Sequence, residues 1–131
     1  MKHIALDTNA YSDFERGIRW GDIVPYATQV HIPLPVLAEL RQGFICGVKS
    51  NQNEELLKQF LSNSMVNVLA PDEETTYYYA RIFKSLRDQG LTIPNNDIWI
   101  ASLCLQHNLW LCTRDKHFDH LPHLLRHQSN G

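Results

Sequence analysis

Short apolar runs alternate along the chain with longer segments whose apolar residues recur every three or four positions. The short runs predict strands and the longer segments predict helices. The predicted strands are residues 1–6, 30–32, 65–69 and 109–112, with a short last strand near Leu124. The predicted helices are residues 10–16, 36–45, 51–61, 72–89 and 97–105, with a weaker one at 20–28. This alternation is typical of a mostly parallel sheet covered by helices, and we predict one α/β domain over residues 1–131.

Capping residues refine the ends of these helices. Thr8 or Asn9 is expected to cap the first helix, and Gly17 to end it. Gly47 is expected to end the helix of residues 36–45, and Asp72 to cap the longest helix. The 3–4 spacing of the longest helix predicts a core face formed by Tyr79, Ile82, Phe83 and Leu86.

The stretch from residue 91 to 119 concentrates the unusual chemistry. Residues 98–105 are almost all apolar, so this helix is expected to be buried on most sides. Asp97 lies in its first turn, and Asp115 follows the strand of residues 109–112. Carboxylates in such positions lose hydration, and an unpaired buried charge costs several kcal/mol, on the order given for ions in proteins. A bound divalent cation would compensate for that cost.

Two further acids follow the same logic. Asp7 comes directly after the first strand, and Glu39 lies on the helix that follows the second strand. Since the carboxyl ends of parallel strands meet at one edge of a sheet, these acids are expected to converge with Asp97 and Asp115. Oxygen ligands suit Mg²⁺ or Mn²⁺, and such a site can activate water for attack on phosphorus. Hydrolysis of a phosphodiester is the reaction that fits.

Each acid taken alone also has an ordinary explanation. Asp7 could cap the first helix, and Asp97 could stabilise the N-terminus of its own helix through the macrodipole. Glu39 could be a solvated helix residue and Asp115 a turn residue. The convergence of all four, rather than any one of them, favours the metal site.

Histidines near the C-terminus raise two other possibilities. They lie at His117, His120, His123 and His127. A zinc site is disfavoured because the usual cysteine partners are absent and the spacing matches no standard finger. A metal-independent nuclease that uses two histidines as acid and base is chemically possible, but it would leave the four acids unexplained.

Four segments of the chain resemble the PIN domain, most closely the VapC-type toxins of bacterial toxin–antitoxin pairs. They are the strand with its Asp-Thr-Asn ending, the acid in residues 37–40, the run at 93–101 and the run at 111–118. The resemblance covers essentially the whole chain in the right order, and the last two segments are the specific ones. In one departure, Pro35 stands where the family commonly has Ser or Thr, four residues before its glutamate.

The resemblance implies a PIN-like three-layer fold with a central sheet of four or five short strands. It implies a Mg²⁺- or Mn²⁺-dependent endoribonuclease, usually a homodimer, neutralised by a small antitoxin. Carried over by position, the catalytic acids are Asp7, Glu39, Asp97 and Asp115, of which Asp7, Asp97 and Asp115 would hold the metal. Thr113, Asn9 and Asp119 would support them. The alternatives are a PIN-like module that binds RNA or protein without turnover, and a housekeeping RNA-processing nuclease.

The amino-acid composition restricts the class of protein but does not by itself indicate a function. With 44% apolar residues, 131 residues suffice for a real core, and no apolar run approaches the length of a membrane helix. Three cysteines in this setting indicate buried thiols and a cytoplasmic location. A net charge of −2 gives no general case for RNA binding, so that case rests on Arg114 and Lys116 beside Asp115. At least one of the three tyrosines at residues 77–79 is expected to be exposed or in an interface.

Overall fold

A computed structural model describes residues 2–127, which form one sheet with helices around it. The strands are β1 (His3–Leu6), β2 (Gln29–Pro33), β3 (Val66–Leu69), β4 (Trp110–Cys112) and β5 (Arg126–His127). The α-helices are α1 (Thr8–Glu15), α2 (Leu34–Cys46), α3 (Ser50–Leu61), α4 (Thr75–Asp88) and α5 (Asn95–His107). Short 3₁₀ helices cover Val24–Tyr26 and Lys116–His120. The predicted α/β class is confirmed.

The sheet has the strand order β3-β2-β1-β4-β5, and every pair of neighbours in it is parallel. The chain runs outward from β1 through β2 to β3, then crosses to β4 on the other side of β1. The order of the strands therefore reverses between β1 and β4. Ligands of open parallel sheets bind outside the carboxyl ends of the strands at such a switch point. Asp7 and Thr113, the residues directly after these two strands, lie at that point.

The core lies where β1 meets the helices. Ile4, Ala5 and Leu6 are all buried, because β1 has neighbouring strands on both edges and is covered on both faces. In α5 every residue from Ile100 to Cys104 is buried, which confirms that this helix is enclosed on most sides. The first turn of α5, with half-buried Asp97, begins directly before this enclosed part of the helix.

Three predicted details at the starts and ends of helices are wrong. The cap of α1 is Asp7 rather than Thr8 or Asn9, because the Asp7 side chain already accepts the hydrogen bond of the Ala10 amide. The Asp72 side chain accepts from the Thr75 amide, but residues 72–74 form a turn and α4 begins only at Thr75. The weak helix at residues 20–28 shortens to one 3₁₀ turn.

The core face of α4 is narrower than predicted. Ile82 and Leu86 are buried, and Tyr79 is half-buried. Phe83, however, has 49% of its surface exposed. The helix packs mainly against α5, so only one narrow stripe is covered and the residue next to Ile82 points away. Tyr77 is exposed, as expected for at least one tyrosine of its cluster.

The remaining expectations concern the chain as a whole. The three cysteines carry free thiols; Cys104 and Cys112 are buried as predicted, but Cys46, at the end of α2, is exposed, so the prediction is wrong there. No helix within residues 2–127 has the length and apolarity needed to cross a bilayer. The short last strand is β5, two residues beyond Leu124. The single domain over residues 1–131 stays a prediction, and Met1 and the last four residues lie outside the described part.

Neighbouring leucines of α3 test how this helix is anchored. Leu57 is fully buried, whereas Leu56 is 41% exposed. We expect Leu57→Ala to lower the free energy of unfolding by about 2–5 kcal/mol, because it removes buried methyl groups and leaves a cavity. Leu56→Ala is expected to change it by less than about 1 kcal/mol. Urea unfolding of both variants measures the difference, and equal losses would show that α3 is not packed as described.

Candidate metal centre

Asp7 is the most buried carboxylate of the candidate site, with 4% of its surface exposed. Its backbone is extended, because it ends β1 before α1 turns away. Its Oδ1 accepts a hydrogen bond of 2.8 Å from the Ala10 amide, and its Oδ2 accepts one from the Thr113 hydroxyl. A carboxylate has about four lone-pair positions, so both oxygens keep acceptor capacity for a further partner.

Thr113 joins the ends of β1 and β4 through its hydroxyl group. The hydroxyl donates to Asp7 and accepts a 2.9 Å hydrogen bond from the Asp115 amide. Thr113 is itself buried, with 3% exposed. Two carboxylates that are 108 residues apart in the chain are therefore positioned by one side chain.

Asp97, Asp115 and His117 form a compact group of metal-ligating atoms. His117 Nδ1 lies 2.8 Å from an Asp97 oxygen and 3.2 Å from an Asp115 oxygen. Asp115 also accepts a 2.9 Å hydrogen bond from the His117 amide, which fixes the start of the 3₁₀ helix that follows it. One ligand atom from each of the three residues lies within 4.8 Å of the other two.

Glu39 reaches the site through an intermediate residue. Its Oε1 accepts a 3.0 Å hydrogen bond from the Thr8 hydroxyl, and Thr8 is the first residue of α1, next to Asp7. Glu39 is half-buried on α2. The structure thus gathers the four predicted acids at one edge of the sheet, in two parts. Asp97 and Asp115 share a histidine, while Asp7 and Glu39 are tied to the start of α1.

The pKa shifts show that ionisation of the carboxylates in this site costs free energy. The pKa of Asp7 is raised to about 6, mainly by burial and also by the nearby charges of Asp115 and Asp97, while the hydrogen bonds from Thr113 and Ala10 oppose the rise. Burial also raises the pKa of Asp97. The hydrogen bond to Asp97 raises the pKa of His117, because the protonated ring is the counter-charge available to the two acids.

The predicted supporting residues are placed unequally. Asp119 is exposed and paired with Arg126, so it does not join the group around Asp97. Asn9 is exposed in the first turn of α1, and no side-chain hydrogen bond is recorded for it within residues 2–127. Lys116 is exposed beside Asp115. Arg114 points along α1 and donates through Nε to Asp13 at 2.7 Å.

The donor set suits a divalent cation. Two carboxylates and one imidazole approach a common point, and a third carboxylate, Asp7, acts electrostatically on both acids. A cation there would offset the negative charge whose cost raises the pKa of Asp7 and of Asp97. Sequence reasoning missed the imidazole because it treated the four C-terminal histidines together. The signal that singles out His117 is its place two residues after Asp115, where the turn carries it back over the acid.

Comparisons with known proteins agree with this geometry. The family model described as the PIN domain matches residues 4–124. Ribonuclease VapC2 of Rickettsia felis is 36% identical over 69% of this chain and 66% of its own length. The toxin FitB of Neisseria gonorrhoeae is 32% identical over 86% of this chain and 87% of its own. The crystal structure of VapBC2 from Rickettsia felis, bound to a promoter DNA fragment, superposes with a TM-score of 0.78 at 27% identity. That match covers 98% of this chain and 99% of the solved one.

Removing the charge of Asp7 is expected to stabilise the metal-free protein. The pKa of Asp7 in the folded protein lies above its ordinary 3.8. Ionisation therefore costs stability, and this cost is absent below about pH 4, grows as the pH rises from about 4 to 6, and is fully present above about 6. Asp7→Asn should raise the free energy of unfolding by about 1–2 kcal/mol at pH 7.5, and by much less at pH 4.5.

Urea unfolding in EDTA at the two pH values measures this difference. The exposed Asp88→Asn serves as the control and should change stability by less than about 0.5 kcal/mol. A loss of stability in Asp7→Asn at pH 7.5 would mean that the cap and the Thr113 hydrogen bond outweigh the burial of the charge.

Proposed function

We propose that this chain, which belongs to the PIN domain family, is a metal-dependent endoribonuclease. It hydrolyses phosphodiester bonds of RNA and acts as the toxin of a toxin–antitoxin pair. The observation that carries this proposal is the group of Asp97, Asp115 and His117, with Asp7 beside it, at the switch point of the sheet. A costly collection of acids at the ligand edge of the fold has a chemical explanation in phosphodiester hydrolysis.

Related proteins support both parts of the proposal. One similar protein is named a ribonuclease and another a toxin. The superposed crystal structure contains a VapBC pair bound to DNA. We therefore expect this chain to be held by a small antitoxin, and that complex to bind promoter DNA. The free thiols of all three cysteines support a reducing, cytoplasmic setting.

Asp7, Asp97 and Asp115 are the residues proposed to hold the metal ion, Mg²⁺ or Mn²⁺. When bound, the ion supplies a water of lowered pKa and offsets charge on the phosphoryl oxygens. Thr113 keeps Asp7 and the Asp115 backbone at a fixed separation, so the ligands are arranged before the ion binds. Glu39, which accepts a hydrogen bond from the Thr8 hydroxyl, is the residue proposed to complete the site or to orient the attacking water.

His117 extends this set beyond the acids. Its Nδ1 lies within hydrogen-bond distance of oxygen atoms of both Asp97 and Asp115. A further ligand atom of a cation bound to these two acids would occupy a similar position. Imidazole is a poor ligand for Mg²⁺ but an acceptable one for the later divalent ions, including Mn²⁺. A site with this nitrogen would bind Mn²⁺ more tightly than Mg²⁺.

The RNA strand and a second copy of the chain are the remaining proposed partners. Arg114 and Lys116 flank Asp115 and carry positive charge at the open edge of the site. Tyr77 exposes 63% of its surface on α4, and such an aromatic residue suits a homodimer contact. The dimer remains a prediction.

Cleavage of a mixed RNA pool tests the proposed chemistry directly. With Mg²⁺ or Mn²⁺ the purified chain should cleave RNA and leave 5′-phosphate and 3′-hydroxyl ends. Both EDTA and Asp97→Asn should reduce the rate by roughly 100-fold or more, because each removes the metal or one of its ligands. Circular dichroism should show that the variant remains folded.

Other outcomes separate the alternatives. Cleavage in EDTA with cyclic phosphate ends would assign the chemistry to the histidines. RNA binding without cleavage, in protein freed of antitoxin by denaturation and refolding, would indicate a binding module. A wild-type rate in Asp97→Asn would refute the acidic site.

Metal titration tests the place of His117. We expect His117→Gln to weaken Mn²⁺ binding about tenfold and Mg²⁺ binding much less, because only Mn²⁺ gains from the imidazole nitrogen. Isothermal titration calorimetry at a pH of about 8 measures both affinities without any RNA present. His120→Gln, an exposed histidine of the same 3₁₀ helix, is the matched control. Unchanged Mn²⁺ affinity in His117→Gln would remove the imidazole from the ligand set.

A further inference from the structure

A second buried carboxylate lies on the same helix as the Thr8 hydroxyl. Asp13 is 4% exposed and sits in the last turn of α1. A negative charge at a helix C-terminus opposes the macrodipole, and burial adds the cost of lost hydration. Asp13 is not one of the acids carried over from the family, and it is absent from the group around His117. Its cost requires a compensating partner.

The compensation comes from two arginines that contact the same oxygen. Arg114 Nε lies 2.7 Å from Asp13 Oδ2, and Arg19 Nη1 lies 3.4 Å from it. Arg114 comes from the loop after β4, next to Asp115, whereas Arg19 comes from the loop after α1. Buried Asp13 therefore holds two cations from distant parts of the chain on one surface. The Arg114 side chain is 47% exposed and that of Arg19 is 28% exposed.

The hydrogen bonding leaves the outer end of Arg114 free. Within residues 2–127 its guanidinium donates only through Nε. Arg41 differs, because it donates to Glu54 through both Nε and Nη2, so its paired guanidinium donors are occupied within the protein. The terminal nitrogens of Arg114 can instead make the paired hydrogen bonds that guanidinium groups make with phosphate oxygens.

The Arg114 guanidinium lies at a distance from the proposed metal-binding acids that suits the RNA phosphate next to the one that is cleaved. Asp13 lies six residues after Asp7, which corresponds to about 9 Å along the axis of α1. The charges of Asp7 and Asp115 still act on Arg114. The guanidinium is thus beside the proposed reaction centre and not inside it, where it would compete with the cation.

We propose that Arg114 and Arg19 form an anion-binding subsite for the RNA phosphate next to the one that is cleaved, and that Asp13 is its positioning residue. The subsite rests on the proposed function only in taking RNA as the ligand. A purely structural ion pair would also tie α1 to the loop after β4, but it would not require an exposed guanidinium with its terminal nitrogens free.

RNA binding without turnover tests the subsite. The probe is a fluorescently labelled single-stranded RNA, and its anisotropy is measured in EDTA at several salt concentrations. Arg114→Gln should weaken binding about 5- to 10-fold at low salt and reduce the slope of log Kd against log salt by about 0.7, since one phosphate contact is lost. Asp13→Asn should weaken binding at least threefold, although it makes the protein more positive, because Arg114 is no longer held.

A double variant distinguishes the positioning of Arg114 by Asp13 from a general effect of net charge on RNA binding. If Asp13 acts through Arg114, Asp13→Asn combined with Arg114→Gln should bind as Arg114→Gln does alone. Arg41→Gln, which removes the same charge elsewhere, is the control and should bind nearly as the wild type does. In cleavage assays with Mn²⁺, Arg114→Gln should raise KM with kcat little changed.

Several results would overturn the subsite without touching the nuclease assignment. They are wild-type or tighter RNA binding by Asp13→Asn, additive losses in the double variant, and equal losses in Arg41→Gln. If Asp13→Asn does not fold, Arg114→Gln and Arg19→Gln still decide the question, because both side chains are partly exposed. Conversely, a wild-type cleavage rate in Asp97→Asn would refute the acidic site, while weakened RNA binding by Arg114→Gln would still support the subsite.

Discussion

The hydrogen bonds of the Asp7 carboxylate are the constraint on which the rest of the site depends. One oxygen starts α1 by accepting the Ala10 amide, and the other accepts the Thr113 hydroxyl from the end of β4. The same side chain therefore ends β1, directs the chain into α1 and fixes the separation of the two strands at the switch point. Helix capping and the metal binding proposed for Asp7 are compatible in this residue because a carboxylate has acceptor capacity for both.

This arrangement places more negative charge at the edge of the sheet than the metal-free protein tolerates easily. Burial raises the pKa of Asp7 and of Asp97, and the ring of His117, whose pKa is raised by its hydrogen bond to Asp97, lies against Asp97 and Asp115. The packing of the core offsets this cost, because the part of α5 that follows Asp97 is buried on most sides. A site prepared in this way gains more from a divalent cation than a flexible group of acids would gain.

Asp13 is a second buried carboxylate at the other end of α1, but its charge is balanced by side chains of the protein. Within residues 2–127 Asp7 forms no salt bridge, whereas Asp13 is paired with Arg114 and Arg19. One helix thus carries a carboxylate suited to a cation at its start and a carboxylate that holds cationic side chains at its end. RNA brings both kinds of group to a nuclease surface, namely phosphates and the metal ions that accompany them.

The sequence by itself determined the α/β fold, the order of its elements and the family, because apolar periodicity and local motifs are properties of adjacent residues. It also predicted that Asp7, Glu39, Asp97 and Asp115 lie at one edge, since parallel strands end together. It did not determine that the His117 ring would lie against Asp97 and Asp115. Nor did it determine that Asp119 would pair with Arg126 or that Asp13 would bind Arg114. Those outcomes depend on contacts between residues up to 101 positions apart. Only the tertiary structure decides such contacts, because several partners of similar chemistry are available to each side chain and packing selects one of them.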